Sequence, residues 1–341
     1  MGRALGKLFA QKGANVVIVA RDVEKLEAAL AYISVSPYST TAPLSEVKQS
    51  AALRPGSQRL HYISADVTVP SENTRIVSEA TAWNNGQPPD IVWANAGMAV
   101  PGLFLDTSIE TLRSQMDVNY WAATYLAHAM LKSWLQPPVS SFSTSNARGS
   151  ESLAQSSFPR HFVITSSTLA FCGIAGYTPY SPAKAALRSL SDSLRSELNL
   201  YAGAARRSSP SSPSSAFSPS IPDVKIHTVC PGTILTPGHT REETMKHPVT
   251  RILEEGDPAQ TEDEVALAAF KGLERGDYLI TTQFLGAAMR ASALQGSPRN
   301  GWGVLDTLFG WVTGVAWLFI GPDMERKVWR WGRENGVMGK S

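Results

Sequence analysis

Short apolar runs separated by helix-forming stretches constrain this chain more than any other feature. The clearest run, Val16-Val17-Ile18-Val19-Ala20, does not alternate apolar with polar residues. A strand with one wet face would alternate; an unbroken run suits a parallel strand covered on both faces. Further strands are expected at 60–64, 90–94, 162–165, 224–229 and 278–281. Helical patterns stand between them at 2–12, 23–33, 112–135, 180–201 and 261–275. Regular alternation of strand and helix specifies an α/β fold with a doubly wound, Rossmann-like parallel sheet.

The chain's 341 residues are enough for one large domain with insertions, and 43% hydrophobic content supports a substantial core. The expected organisation is a Rossmann-like domain over 1–300 and a hydrophobic tail over 301–341. Ser- and Pro-rich insertions near 34–56, 136–158 and 204–222 are expected to be flexible. A net charge of +2 is too small to imply a nucleic-acid partner. Cys172 and Cys230 lie far apart without metal-ligand spacing, so they read as reduced thiols of a cytosol-facing protein. The first residues are charged and amphipathic, unlike a secretory signal.

Chemistry enters with Ile164-Thr165-Ser166-Ser167, followed after twelve residues by Tyr180-Ser181-Pro182-Ala183-Lys184. The strand at 162–165 delivers the serines at its C-terminal end. A helix beginning near Tyr180 puts Tyr180 and Lys184 one turn apart on one face. An ammonium that close is expected to depress the phenol's pKa. A phenol so tuned can exchange a proton with a carbonyl or alcohol oxygen near neutral pH, and a serine hydroxyl can hold the same oxygen. A lone Y-x-x-x-K is more often an ordinary surface pair, so the assignment leans on its neighbours.

Those neighbours lie at the ends of the other strands. Arg21 follows the 16–20 run directly, and an arginine there accommodates a 2′-phosphate where an acid would bind a ribose hydroxyl. With Lys25 one turn on, it points to NADPH; the alternative is a solvated pair of charges. Asp66, with Val67, either contacts an adenine or caps the next helix. Asn95-Ala96-Gly97 offers small residues that let a cofactor approach the backbone, although Asn95 can equally brace the sheet. Asn119 sits inside a helix, where asparagine is disfavoured without a specific bond. The turn Pro231-Gly232 leads through Ile234 to Thr236 and can lie along a nicotinamide.

Taken together, these residues resemble the short-chain dehydrogenase/reductase superfamily, through its N-A-G, helix asparagine, serine, Y-x-x-x-K and P-G turn. The resemblance implies that Tyr180 donates the proton and that Lys184 lowers its pKa and grips the nicotinamide ribose. It further implies that Ser167 orients the carbonyl, the interval of thirteen residues to Tyr180 favouring it over Ser166. Asn119 then holds a proton-relay water. The family's T-G-x-x-x-G-x-G loop should precede the first helix, and only its last glycine, Gly2, is present. The sequence is therefore expected to lack the first strand and glycine loop, as a truncated form would. Ala20-Arg21-Asp22, Trp93-Ala94-Asn95-Ala96-Gly97 and Gly176-Tyr177-Thr178-Pro179-Tyr180-Ser181 are similar to the fungal 3-ketodihydrosphingosine reductases. That family reduces a long-chain 3-keto sphingoid base with NADPH at the endoplasmic reticulum membrane. A related steroid or retinoid reductase, or a non-catalytic membrane scaffold, is the alternative.

The segment 304–320 is apolar except for Asp306, Thr307 and Thr313. As a helix it reaches roughly 25 Å, a little short of a bilayer core. Trp302, Trp311 and Trp317 suit an interface, and Arg326, Lys327, Arg330 and Arg333 can meet anionic head groups. The expectation is association with a membrane lipid surface, the catalytic domain facing the cytosol. Gly310 and Gly314 form a G-x-x-x-G that leaves a homodimer open.

Overall fold

The computed structural model describes residues 1–34, 58–136, 158–205, 222–294, 296–301 and 303–337. The three expected insertions, almost in full, and Trp302 lie outside the described residues.

The chain alternates as expected: α1 (Gly2–Gln11), β1 (Val16–Ala20), α2 (Val23–Ser34), β2 (Leu60–Ser64), α3 (Pro70–Trp83), β3 (Ile91–Ala94), α4 (Ile109–Met116), α5 (Ala122–Leu135), β4 (Arg160–Thr165), α6 (Ser181–Ala205) and β5 (Val224–Cys230). A second run follows: β6 (Ile234–Leu235), α7 (Pro237–Met245), α8 (Pro248–Leu253), β7 (Gln260–Thr261), α9 (Glu262–Glu274), β8 (Leu279–Thr281), α10 (Phe284–Ser292) and α11 (Val304–Asn335). Every strand pair is parallel, in the orders β1-β2, β3-β4-β5-β8 and β6-β7.

Why β4 is central follows from its residues. Phe162, Val163 and Ile164 are fully buried, and their side chains alternate between the two faces. Phe162 and Ile164 pack with Met130 and Trp134 of α5 and Leu187 of α6. Val163 packs on the opposite face with Leu5 of α1 and Val265 and Ala269 of α9. The two larger sheets share no hydrogen-bonded strand among the described residues. Helix α1 bridges them: Ala4 and Leu5 join the β4 side, whereas Ala10 packs with Val16 and Leu60. Capping fixes the helix starts, with Thr261 and Glu264 forming a reciprocal box at α9.

Two expectations change. The single helix expected at 112–135 begins at Ile109 and is interrupted by a π-helical turn, Asp117–Trp121. The tail helix continues from Val304 to Asn335, so the basic residues after 320 belong to it. It is long and apolar enough to cross a membrane by length and composition. One end is nonetheless tied to the protein: Arg290 of α10 pairs with Asp306 at 2.6 Å, both nearly buried, and the Phe284 and Phe309 rings lie 6.1 Å apart. A side chain at Gly310 would meet the Ala291 carbonyl at 3.1 Å, so half of the G-x-x-x-G faces α10 of its own chain.

Candidate active site

The serines leave the end of β4 in different directions. Ser166 is buried and its hydroxyl donates to the Lys184 carbonyl at 2.8 Å. Ser167 is extended, accepts from the Leu169 N–H at 3.2 Å, and lines the same cleft as Tyr180. Tyr180 stands one residue before α6, and the Lys184 N–H reaches its carbonyl at 3.4 Å. That turn places the Lys184 ammonium 5.5 Å from the centre of the Tyr180 ring. The same nitrogen donates to the Thr165 carbonyl at 3.1 Å. Ser167, Tyr180 and Lys184 thus meet where β4 ends and α6 begins.

The electrostatics differ from the sequence expectation. Burial pushes the Tyr180 phenol up, and the nearby Ser167 hydroxyl only partly opposes it. Burial also pulls Lys184 down to about 8. The shift of the phenol is therefore upward rather than the expected depression, because the largest effect at both groups is the removal of their charge from water.

Asn119 lies fully buried in the π-helical turn. Its amide donates to the Met98 carbonyl at 2.8 Å and the Gln115 carbonyl at 3.0 Å, and its oxygen accepts from the Met98 N–H at 3.0 Å. The extra residue of a π turn aims this side chain at the strand β3 loop. A side chain at Gly97 would meet Asn119 Oδ1 at 2.9 Å and Lys184 Nζ at 3.1 Å, which explains the glycine. Asn95 braces the sheet: its oxygen accepts from the Thr165 hydroxyl at 3.0 Å, which accepts in turn from the Trp93 indole at 3.0 Å.

A cleft of about 1140 Å³ opens over these groups. Asn95, Gly97, Ser167, Tyr180, Lys184, Pro231, Gly232, Ile234 and Thr236 all line it. Ala96 links two of these residues, and a side chain at Gly2 would touch the Asn95 amide at 3.1 Å. Thr236 has a further duty, since its hydroxyl caps α7 by accepting from the His239 N–H at 3.0 Å.

Arg21, Lys25, Asp66 and Val67 do not line the cleft; they gather beyond the ends of β1 and β2. Arg21 is largely exposed and only 3.7 Å from Asp66. Lys25 turns to Asp22 at 3.0 Å. Asp66 accepts from the Thr68 N–H and hydroxyl, which holds its carboxyl below the usual range. It therefore organises the turn before α3, while the helix itself is capped at Val69 without a side-chain bond, so Asp66 is not the cap raised as the alternative from sequence.

A nicotinamide dinucleotide fits what these residues provide. A glycine-walled passage runs from Gly97 to Gly232, where an added side chain would strike Asn119, Lys184 or Gln283. Both polar atoms of the Gln283 amide, behind Gly232, are buried without a partner. At the far end stands the exposed guanidinium of Arg21, loosely paired with Asp66 at 3.7 Å.

Sequence reasoning did not single out Tyr177, Glu242 and Lys246, nor a wall supplied by α11. Tyr177 donates its hydroxyl to Glu242, and the Tyr177 and Tyr180 rings are 6.1 Å apart. Thr313, Ala316, Trp317, Ile320 and Met324 of α11 line the cleft. Their spacing of three and four residues marks one helical face; it was legible, but nothing indicated what that face would cover.

Comparison with known proteins agrees with this geometry. The family model described as enoyl-(acyl carrier protein) reductase matches residues 1–201. The 3-ketodihydrosphingosine reductase ksrA of Aspergillus fumigatus is 47% identical over 99% of this chain and 83% of its own. The corresponding Neurospora crassa reductase is 39% identical, covering 98% and 80%. Among solved structures, a short-chain dehydrogenase from Streptomyces avermitilis superposes with a TM-score of 0.57 at 21% identity, covering 86% of this chain and 89% of its own. A Sphingobium yanoikuyae short-chain dehydrogenase in complex with NADPH gives 0.57 at 22%, covering 86% and 88%.

Proposed function

The chain belongs to the 3-ketodihydrosphingosine reductase family of short-chain dehydrogenases, and from that premise we propose that it reduces 3-ketodihydrosphingosine to dihydrosphingosine with NADPH. The observation that carries the reading is the meeting of Ser167, Tyr180 and Lys184 in a cleft that apolar residues of α11 also line.

NADPH supplies the hydride. The residues present would hold it with Arg21 and Lys25 at the 2′-phosphate, Asp66 and Val67 at the adenine, and Gly2 with Asn95-Ala96-Gly97 along the middle. Lys184 would hold the nicotinamide ribose, with Pro231, Gly232, Ile234 and Thr236 at the nicotinamide. Ser167 donates a hydrogen bond to the ketone oxygen and fixes its position. Tyr180 donates its proton to that oxygen as the carbonyl carbon becomes tetrahedral, so no alkoxide is left uncompensated. The ammonium of Lys184 stabilises the negative charge that develops on the phenol oxygen. Asn119 holds the Met98 backbone beneath Lys184 and maintains the proton path behind it.

The membrane reading rests on α11. Leu305, Trp311, Val312, Val315 and Leu318 point away from the protein and are 60–82% exposed. An apolar face this large favours contact with lipid. With its other face on the cleft, α11 suits an interfacial position better than a full span, and a long-chain substrate can pass along it to Tyr180. We place the protein on the cytosolic side of the endoplasmic reticulum membrane.

The test is reduction of 3-ketosphinganine by the purified chain with NADPH, set against a steroid and retinoid panel. Tyr180→Phe is expected to lower kcat by about 100-fold or more while sparing NADPH binding measured by fluorescence. Turnover of the steroids alone, or an active Tyr180→Phe variant, would overturn the assignment.

A further inference from the structure

Beyond the reacting wall, the cleft has a carboxylate with no function in hydride or proton transfer. Glu242, on α7, lines it together with Tyr177, which stands between Glu242 and Tyr180. Tyr177 touches both neighbours, bonding Glu242 and lying 6.1 Å from the Tyr180 ring, so Glu242 and Tyr180 share one end of the cleft. The neighbours of Glu242 balance its charge only in part, because the cation nearest to it is shared with two other carboxylates. Lys246, the nearby buried cation, sits 2.5 Å from Glu243 and 2.6 Å from Glu254 but 3.7 Å from Glu242. His239 pairs with Glu243 at 3.2 Å, and Arg251 approaches only Glu243. Among the described residues, the one side-chain hydrogen bond Glu242 accepts is from a neutral phenol. Burial raises its pKa, and Tyr177 and the shared Lys246 only partly oppose it.

The proposed substrate carries such a cation. In a 3-keto sphingoid base the amino group is on the carbon next to the ketone, about 2.5 Å from the carbonyl carbon by ordinary bond lengths. A ketone seated at Ser167 and Tyr180 therefore brings its ammonium to the neighbouring wall, and the alkyl chain leaves toward α11. We propose that Glu242 is a specificity-determining residue that binds the ammonium group of the substrate beside the reacting ketone. Tyr177 is a positioning residue that holds the carboxylate toward the cleft. The inference rests on the ketoreductase reading and adds the group that distinguishes a sphingoid base from a plain long-chain ketone.

The experiment compares kcat/KM for 3-ketosphinganine with that for 1-hydroxyoctadecan-3-one, which lacks the amine, in the full chain with NADPH. The wild type is expected to prefer the amine. Glu242→Gln is expected to shrink that preference by about 10- to 100-fold, the usual effect of losing a hydrogen bond to a charged group. An undiminished preference in folded Glu242→Gln overturns the proposal. A second measurement needs no variant: octadecylamine should inhibit the wild type at least about tenfold more strongly than octadecanol, and equal inhibition also overturns it. If the wild type reduces both ketones equally well, only this inference falls. If it reduces neither, the reading of its function falls as well.

Discussion

Lys184 has the pKa that bears most directly on turnover. Buried between Thr165 and the Tyr180 ring, it is held down to about 8. Its ammonium is present below that value and lost as pH rises through it. Reduction should therefore be fastest below about pH 8 and decline above it, as the phenol loses the opposing charge. A kcat/KM profile showing no inflection between about pH 7 and 9 would count against that role. A second buried pair affects stability instead. His161 and His227 share a hydrogen at 2.9 Å, and His227 also bonds the Asp277 carbonyl at 2.7 Å. Burial lowers His227 from 6.5 to about 4. Between those values the unfolded chain binds more protons than the folded one, so stability rises with pH across the window. It is complete above about 6.5 and lost as pH falls toward about 4, a difference on the order of 3 kcal/mol. Denaturant titrations from pH 4 to 7 should show this slope, and His227→Phe should flatten it.

Among the elements, the interrupted helix and the loop before α6 do most to position the site. The π-helical turn between α4 and α5 is where Asn119 bonds Met98 and Gln115. Asn119→Leu strands those backbone groups and should cost about 1–3 kcal/mol, read as a lower denaturation midpoint together with reduced kcat. Asparagine in a helix was a visible anomaly in the sequence; the partners it bonds came from a distant loop and were not. The loop before α6 depends on Gly176, at φ +92°, where an added side chain would fall 1.8 Å from the Thr250 hydroxyl. That hydroxyl donates to the Ala175 carbonyl at 3.0 Å and ties the loop to α8. Gly176→Ala should therefore displace Tyr177 and Tyr180 together, costing about 1–3 kcal/mol and lowering activity more than NADPH affinity.

Across the whole molecule, α11 joins lipid contact to catalysis, because its two faces serve the exterior and the cleft. Its seat is the Arg290–Asp306 pair, whose side chains are 10% and 12% exposed. Removing one partner of a buried pair typically costs about 3–5 kcal/mol, so Asp306→Ala should release α11 to limited proteolysis before the sheet unfolds. Deleting residue 301 onward should abolish sedimentation with anionic vesicles. A truncated protein that still sediments would assign membrane contact elsewhere.

Although α7, α8, α10 and the short strands β6 and β7 were not read from it, the sequence by itself determined the alternation of the main strands with helices and the parallel sheet, and it pointed to Ser167, Tyr180 and Lys184. These are local: period, spacing and residue type reveal them, because strand ends and helix turns carry side chains to fixed places. Only the tertiary structure decided that burial acts on both the Tyr180 phenol and Lys184, that Ser166 turns to a backbone carbonyl, and that Asp66 ties its own turn. It also decided that α11 closes the cleft and that Glu242 stands beside Tyr177. Each of these depends on which distant segment removes water from a group, and desolvation is a property of the packed molecule that no single stretch of sequence contains.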